Sequence, residues 1–186
     1  MKGLLLTIFL IISPVTALYA APATTNLYEI EVVVFENRLS SLEGGELWAR
    51  NPESSAATKK EETVAAGEKP SEGSPLSAAV EALQKSGRHP VLAHLRWKQS
   101  AEAKSLSKPV QIGGATGVLD GSLRFYLSRV LIVELNLALR EMQGGGAAEN
   151  ATMVYRLNES RRIKVTETHY FDNPKLGALV RVTQAR

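Results

Sequence analysis

The residues best suited to recognising a ligand lie together in the segment His169–Pro174, which contains three aromatic rings, a carboxylate and an amide. In an extended chain, alternation places His169 and Phe171 on one face and Tyr170 and Asp172 on the other. One interpretation is a recognition patch, in which the rings stack on a sugar while the aspartate and asparagine provide hydrogen bonds. On chemistry alone we favour a strand-to-turn corner, in which Phe171 enters the core, Asp172 caps the turn and His169 bonds a neighbour.

A basic pair, Arg161 and Arg162, lies in the same alternating stretch. Only one side chain of such a pair can face solvent on an open sheet, so the other is expected to pair with an acid. The candidate partners are Glu134, Glu159 and Glu167. A buried arginine network is therefore the favoured interpretation, and a groove that binds an anion is the alternative.

Two tryptophans and a histidine complete the candidate binding residues. Trp97 falls on the same face as Val91, Ala93 and Leu95, which favours packing in the core over stacking on a ligand. His94 falls on the opposite, polar face of that stretch. Trp48 follows a pair of glycines, and two interpretations stay open for it: an exposed stacking ring or part of a lid.

The sequence carries no recognisable catalytic or cofactor-binding motif. Its three histidines, His89, His94 and His169, have no metal-ligand spacing, and cysteine is absent. Its glycine clusters lack the strand and helix context of a phosphate-binding loop. A hydrolase that uses two carboxylates stays open, because any two acids can meet in space. We expect a protein that is not an enzyme and binds no cofactor.

The first twenty residues are typical of a cleavable signal peptide. Met1 and Lys2 give a positive start, an uncharged run follows from Gly3 to Leu18, and the small residues next to Ala20 suit cleavage there. The run is too short for a membrane anchor. Because the chain contains no cysteine, we expect neither a lipoprotein anchor attached through a lipidated cysteine nor a disulfide. A formal charge of +3 gives no reason to expect nucleic acid as a partner.

After the signal, the pattern predicts one domain over residues 21–186. Asn26–Asn37 alternates as a strand whose far end is covered on both faces. A segment at about 50–75, poor in large apolar residues, is expected to be a flexible insertion. A helix is predicted from Pro75 to Gly87, a strand from Pro90, and a short strand around Val110–Ile112.

Two long runs then place apolar residues on odd positions. The first covers Leu123–Leu139 and is interrupted by Arg129, which is expected to need an acidic partner. The second covers Met153–Phe171, so the two are expected to pair as a long antiparallel hairpin whose opposed residue numbers add to even values. A turn at the asparagine–proline pair and a last strand, Leu176–Val182, follow. The predicted fold is α+β: a mainly antiparallel sheet of about five to six strands with one helix packed on a face.

These segments resemble the CsiV family over most of the chain after the signal. The shared order comprises Tyr28–Phe35 with Trp48 downstream, Leu76–Leu83, Pro90–Gln99, Gly121–Leu123, and the closing signature Glu159–Arg162, Glu167–Pro174 and Gly177. The chain departs from the family pattern at Val130–Ile132, where an aromatic residue and a histidine are usual, and at Asn173, where a histidine is common.

The resemblance implies a non-catalytic protein of the periplasm that binds peptidoglycan. It also implies support of a class A penicillin-binding protein through its outer-membrane lipoprotein activator. Two alternatives stay open: an envelope adaptor that binds only proteins, and an enzyme that acts on the wall. The predicted ligand-binding residues are Trp48, His94, Trp97, Arg161, Arg162, His169, Tyr170 and Asp172.

Overall fold

The computed structural model describes residues 26–38, 73–113, 117–142 and 152–185, which form eight strands and one helix. The strands are β1 (Leu27–Glu36), β2 (Val91–Ser100), β3 (Val110–Gln111), β4 (Leu119–Leu127), β5 (Leu131–Met142), β6 (Thr152–Arg162), β7 (Thr168–Asn173) and β8 (Leu176–Gln184), and the helix is α1 (Ser77–Ser86). The predicted signal peptide, Trp48 and most of the predicted insertion lie outside the described residues.

The strands form two antiparallel sheets of four strands each. Sheet A has the order β2-β1-β8-β7, and sheet B has the order β3-β4-β5-β6. Alternate side chains of both sheets meet in one hydrophobic core, in which Tyr28 of sheet A meets Phe125 of sheet B edge to face at 5.4 Å between ring centroids. A mainly antiparallel α+β fold with one helix is confirmed, but the prediction of five to six strands is wrong.

The first long run contains two strands and a turn. Residues 128–130 form a three-residue turn, so that Leu127 pairs with Leu131 and Phe125 pairs with Val133. Because a loop of odd length keeps odd residues opposite odd residues, the apolar alternation passes through this turn without a change of phase. Arg129 lies exposed in the turn, so the expectation that it needs a partner on an apolar face is wrong.

The second long run also contains two strands, and these belong to different sheets. β6 pairs with β5, whereas β7 pairs with β8. Between them the chain turns at Thr166, whose φ of 71° is in the left-handed region. The hairpin between the two runs is confirmed for β5 and β6, and its opposed numbers add to even values, as in the pairs Ile132–Arg162 and Leu137–Leu157.

The faces predicted for β1 are confirmed, and so is the core face of β2 at Ala93, Leu95 and Trp97. Val91 was predicted on that face as well, which is wrong, because the register shifts between Val34 and Phe35 and Val91 pairs with Phe35. Trp97 pairs with Ile30 and Leu95 pairs with Val32, so these apolar residues of both strands point into the core. Val33 and Phe35 of β1 point to the other side of sheet A, called here its outer face, and both are buried there. This end of β1 is therefore covered on both faces, as its sequence predicts.

Helix α1 begins beside the outer face of sheet A. Leu76, the residue before the helix, is 2 % exposed, whereas no residue of α1 itself is fully buried. Gly87 ends the helix with a φ of 64°, as predicted. Within the described part of the chain, no helix is both long enough and apolar enough to cross a membrane.

Candidate ligand-binding surfaces

The predicted binding residues that the structure describes do not converge on one site. Tyr170 and Asp172 lie on the outer face of sheet A, at its β7 edge, and His94 lies on the same face at the β2 edge. Trp97 points to the other side of that sheet, and Arg162 lies on the outer face of sheet B. The described candidates therefore belong to separate surfaces, which we describe in turn.

The first surface is an aromatic patch around Tyr170. The Tyr170 side chain is 44 % exposed, and its ring stacks on that of Phe35 at 6.3 Å between centroids with an interplanar angle of 8°. His89 meets the same Phe35 ring edge to face at 5.6 Å. The patch presents one tyrosine ring on an aromatic support, with the exposed carboxylate of Asp172 beside it.

Tyr170 is expected to ionise at a higher pH than a free tyrosine. Partial burial of the phenol and the nearby carboxylate of Asp172 raise its pKa from the ordinary value of 10.0, against a hydrogen bond from Asn37 that lowers it. Because the folded-state pKa is raised, the neutral phenol's contribution to stability is complete below the unfolded-state pKa and is lost as pH rises through the folded-state pKa. Alkaline titration of tyrosinate absorbance measures this shift.

The Tyr170→Phe variant provides the control for that titration. It should remove one late-titrating phenol and leave another, because burial and the charge of Glu141 also raise the pKa of Tyr155. A difference curve between the two proteins that rises at the pH of free tyrosine would contradict the assignment.

The rest of the closing signature forms the predicted strand-to-turn corner. Phe171 is fully buried, and the Nε2 atom of His169 accepts a hydrogen bond of 3.1 Å from the backbone N–H of Lys164. The turn is capped by Asn173, whose Oδ1 accepts a bond of 2.9 Å from the backbone N–H of Lys175. The assignment of this cap to the aspartate before it is therefore wrong.

Arg161 links β6, at the edge of sheet B, to β7, at the edge of sheet A. Its guanidinium bonds the carboxylate of Glu159, donates a bond of 2.6 Å to the carbonyl oxygen of Tyr170 and lies 4.8 Å from the ring centroid of Phe171. The predicted partner Glu159 is confirmed, but the prediction of a buried arginine network is wrong. Both Arg161 and Arg162 are exposed, because β6 is an edge strand near the end of the core.

The second surface is an open groove of about 360 Å³ beside β2, the outermost of the described strands on that side of sheet A. Trp97 packs against the core, as predicted, and also lines this groove, where its indole N–H donates a bond of 3.0 Å to the side chain of Gln99. Leu27 and Leu106 are also in the groove lining, and they are 42 % and 67 % exposed. The groove therefore combines apolar surface with a strand edge.

The sequence did not predict the role of Glu31, whose carboxylate is almost fully buried. It accepts hydrogen bonds from the Ser74 hydroxyl at 2.6 Å and the Leu76 backbone N–H at 3.3 Å, and its Oε1 lies 2.7 Å from Nε2 of His94. These contacts make His94 a structural partner of the carboxylate. A glutamate inside a run of buried β1 residues was the available signal, since an acid is rarely buried unless it is paired.

The third surface, which the sequence did not predict, is the outer face of sheet B, formed by the even-numbered residues of β4, β5 and β6 and by Gln111 of β3. One cross-strand row on it contains Gln111, Ser122, Asn136 and Asn158, in paired register. The alternation that predicted the apolar odd positions also implied a polar even face. No sequence signal fixed which polar residues stand side by side.

Within the four described ranges, no cluster of three or more His, Cys, Asp or Glu side chains is arranged to hold a metal ion.

On the third surface, the carboxylate of Glu134 lies 2.5 Å from the ammonium of Lys104, and this hydrogen bond raises the pKa of the lysine. These three surfaces present rings, amides and cations, which are groups suited to binding a ligand.

Comparison with known proteins gives the family. The family model described as "Peptidoglycan-binding protein, CsiV" matches residues 66–185, a range that contains the helix and seven of the eight strands. No curated protein and no solved structure gave a significant match. Because the match spans well over half of the 186 residues, the chain belongs to the CsiV family of peptidoglycan-binding proteins.

Proposed function

We propose that this protein is a non-catalytic, periplasmic protein that binds peptidoglycan and supports cell-wall synthesis. The observation that carries the proposal is the family match over residues 66–185. The geometry agrees with a binding role, because an uncovered polar sheet face suits contact with an extended polymer. Cleavage after Ala20 would leave a single domain over 21–186, and sequencing the amino terminus of the protein recovered from the periplasm tests that step.

Binding is tested by sedimentation of the mature protein with purified sacculi. We expect the protein to pellet with sacculi and to stay in solution without them. A protein left wholly in the supernatant over a range of sacculus concentrations contradicts the proposal.

The non-catalytic part of the proposal has its own test. Incubating the protein with sacculi should release no muropeptides, while a wall hydrolase run in parallel should release them. Clear release by this protein would assign it to the enzymes that act on the wall.

We further propose that the protein acts through a class A penicillin-binding protein and the lipoprotein activator of that synthase. Pull-down of purified activator and synthase on the immobilised protein tests the contact. Capture of neither component would limit the role to the polymer alone.

The second candidate function is an adaptor that binds proteins only. The observation that favours it is the edge of β2, which pairs with no further strand among the described residues and lies beside the groove that exposes Leu27 and Leu106. An extended peptide can add to such an edge and insert an apolar side chain. Variants at Trp48, Tyr170 and Arg162 separate the two functions. If sugar contact is real, sacculus binding should fall in these variants while partner binding persists.

A further inference from the structure

The outer face of sheet B is open over much of its area. A loop covers one corner, where the Lys104 ammonium lies 5.3 Å from the ring centroid of Tyr126. Away from that corner, the even-numbered side chains of β6 from Val154 to Arg162 are exposed, and so are two of β5. The exposed polar residues are Asn136, Arg140, Arg156, Asn158, Ser160 and Arg162.

Hydrogen-bonding side chains cross this face in one line. The row Gln111, Ser122, Asn136 and Asn158 has one residue on each strand of sheet B, so it spans about 14 Å. The amides of Asn136 and Asn158 can each donate and accept a hydrogen bond, whereas the Gln111 amide already donates a bond of 2.7 Å to Asp120. A row of this kind matches the hydroxyl and amide groups of an amino-sugar polymer with attached peptides.

Two arginines flank the end of this row on β6. Arg156 and Arg162 lie six positions apart on the same face, about 20 Å along the strand. Among the described residues, neither guanidinium has a hydrogen-bond or ion-pair partner. The acids of this face are already engaged: Asp120 lies 3.8 Å from Arg140, and Glu134 accepts bonds from a lysine and a tyrosine. These two arginines therefore give the face an unbalanced positive charge.

We propose that this face is the peptidoglycan-binding surface, an inference that rests on the function proposed above. Arg156 and Arg162 each bind a free carboxylate of the peptide stems, and the amide row bonds the polymer between them. Arginine suits this role, because its planar guanidinium can hold a carboxylate through two parallel hydrogen bonds. The charges are complementary, since the stems are the anionic part of the polymer.

A different role for the same arginines is protection of the sheet edge. Charged side chains on an edge strand such as β6 hinder pairing with a second molecule. In that case their removal would cause association of the protein and leave its affinity for sacculi unchanged. The two roles therefore differ in what each variant does.

The test compares two double variants of the mature protein in sacculus sedimentation. R156Q/R162Q removes both proposed carboxylate-binding groups, and K85Q/R88Q removes two exposed positive charges from the helix and loop beside sheet A. We expect binding to fall about a hundredfold in the first, about tenfold for each arginine replaced, and to stay within about twofold in the second. Equal binding by the two variants overturns the inference.

A second arm changes the polymer instead of the protein. Sacculi whose carboxylates have been converted to amides should bind the native protein about as weakly as untreated sacculi bind R156Q/R162Q. That variant should lose little more on the amidated polymer. Undiminished binding of the native protein to amidated sacculi overturns the inference even if the variant is poorly folded. Failure of the native protein to bind untreated sacculi would instead refute the proposed function itself.

Discussion

Replacement of Gly121 by alanine is expected to lower the free energy of unfolding by more than about 4 kcal/mol. Gly121 has a φ of 156°, and a Cβ atom built on it would lie 2.8 Å from Cα of Leu137 and even closer to the carbonyl oxygen of Asn136. These are main-chain atoms of the neighbouring strand, so relief requires β4 and β5 to separate in the middle of sheet B. Urea-induced unfolding followed by circular dichroism measures the loss.

The Gly117→Ala variant separates close approach from backbone strain. Gly117 has a φ of 69°, but a Cβ atom there would meet nothing within 4 Å. We expect a cost of about 1 kcal/mol at this position, from backbone strain alone. Equal losses in the two variants would show that the contact between β4 and β5 is not what requires glycine at position 121.

The alternation of residue types predicted which way each strand faces, but it could not count the strands. Successive side chains of a strand point to opposite faces of the sheet, which is why the predicted faces of β1 and β5, and of β2 from Ala93 to Trp97, were correct. The turn at 128–130 contains neither glycine, proline, asparagine nor aspartate, so it gave no local signal. Because the turn has an odd number of residues, the apolar residues stay on odd positions before and after it. The two strands β4 and β5 therefore show the pattern of a single strand.

The sequence pattern also could not show to which of the two sheets each strand belongs. β6 and β7 share one apolar pattern, yet they lie in different sheets because the chain turns at Thr166. Alternation records only whether a side chain is inside or outside, and both sheets contribute to the same core. Which strands are neighbours depends on long-range pairing, which a pattern of period two does not encode.

The candidate binding residues could be predicted only in part, because their neighbours also depend on long-range pairing. The rings of the closing signature suggest a binding patch by their type, and the structure places Phe171 in the core and His169 on a backbone N–H. The polar row of sheet B exists only through register. Even-numbered sums allowed Asn136 to face any of several even residues of β6, and only the structure shows that it faces Asn158.

The second large effect is expected at Glu31, where replacement by leucine should destabilise the protein by about 3 kcal/mol or more. The carboxylate is 2 % exposed and accepts bonds from Ser74 and from the backbone N–H of Leu76 at the start of α1. Leucine fills a similar volume but leaves those buried donors without an acceptor. Urea-induced unfolding measures the loss, and hydrogen exchange at the amide of Leu76 should become faster.

Glu31→Gln should fall between the native protein and Glu31→Leu, because the amide oxygen can still accept a bond although the charge is removed. The matched control is Glu29→Gln, two positions along the same face of β1. The carboxylate there is more exposed, and its one side-chain partner among the described residues is Arg96, at 2.5 Å. We expect at most about 1 kcal/mol there. A Glu31→Leu variant no less stable than Glu29→Gln would show that the buried carboxylate does not hold the helix to the sheet.

The same carboxylate decides the role of His94, which was predicted as a ligand-binding residue. Its Nε2 atom lies 2.7 Å from the carboxylate of Glu31, and its side chain is only 17 % exposed. If the imidazole acts by supporting that carboxylate, His94→Ala should lower the free energy of unfolding by about 1–2 kcal/mol and leave sacculus binding unchanged. Weaker sacculus binding with unchanged stability would show that His94 contacts the ligand. It would also place a ligand contact on sheet A, whereas Arg156 and Arg162 lie on sheet B.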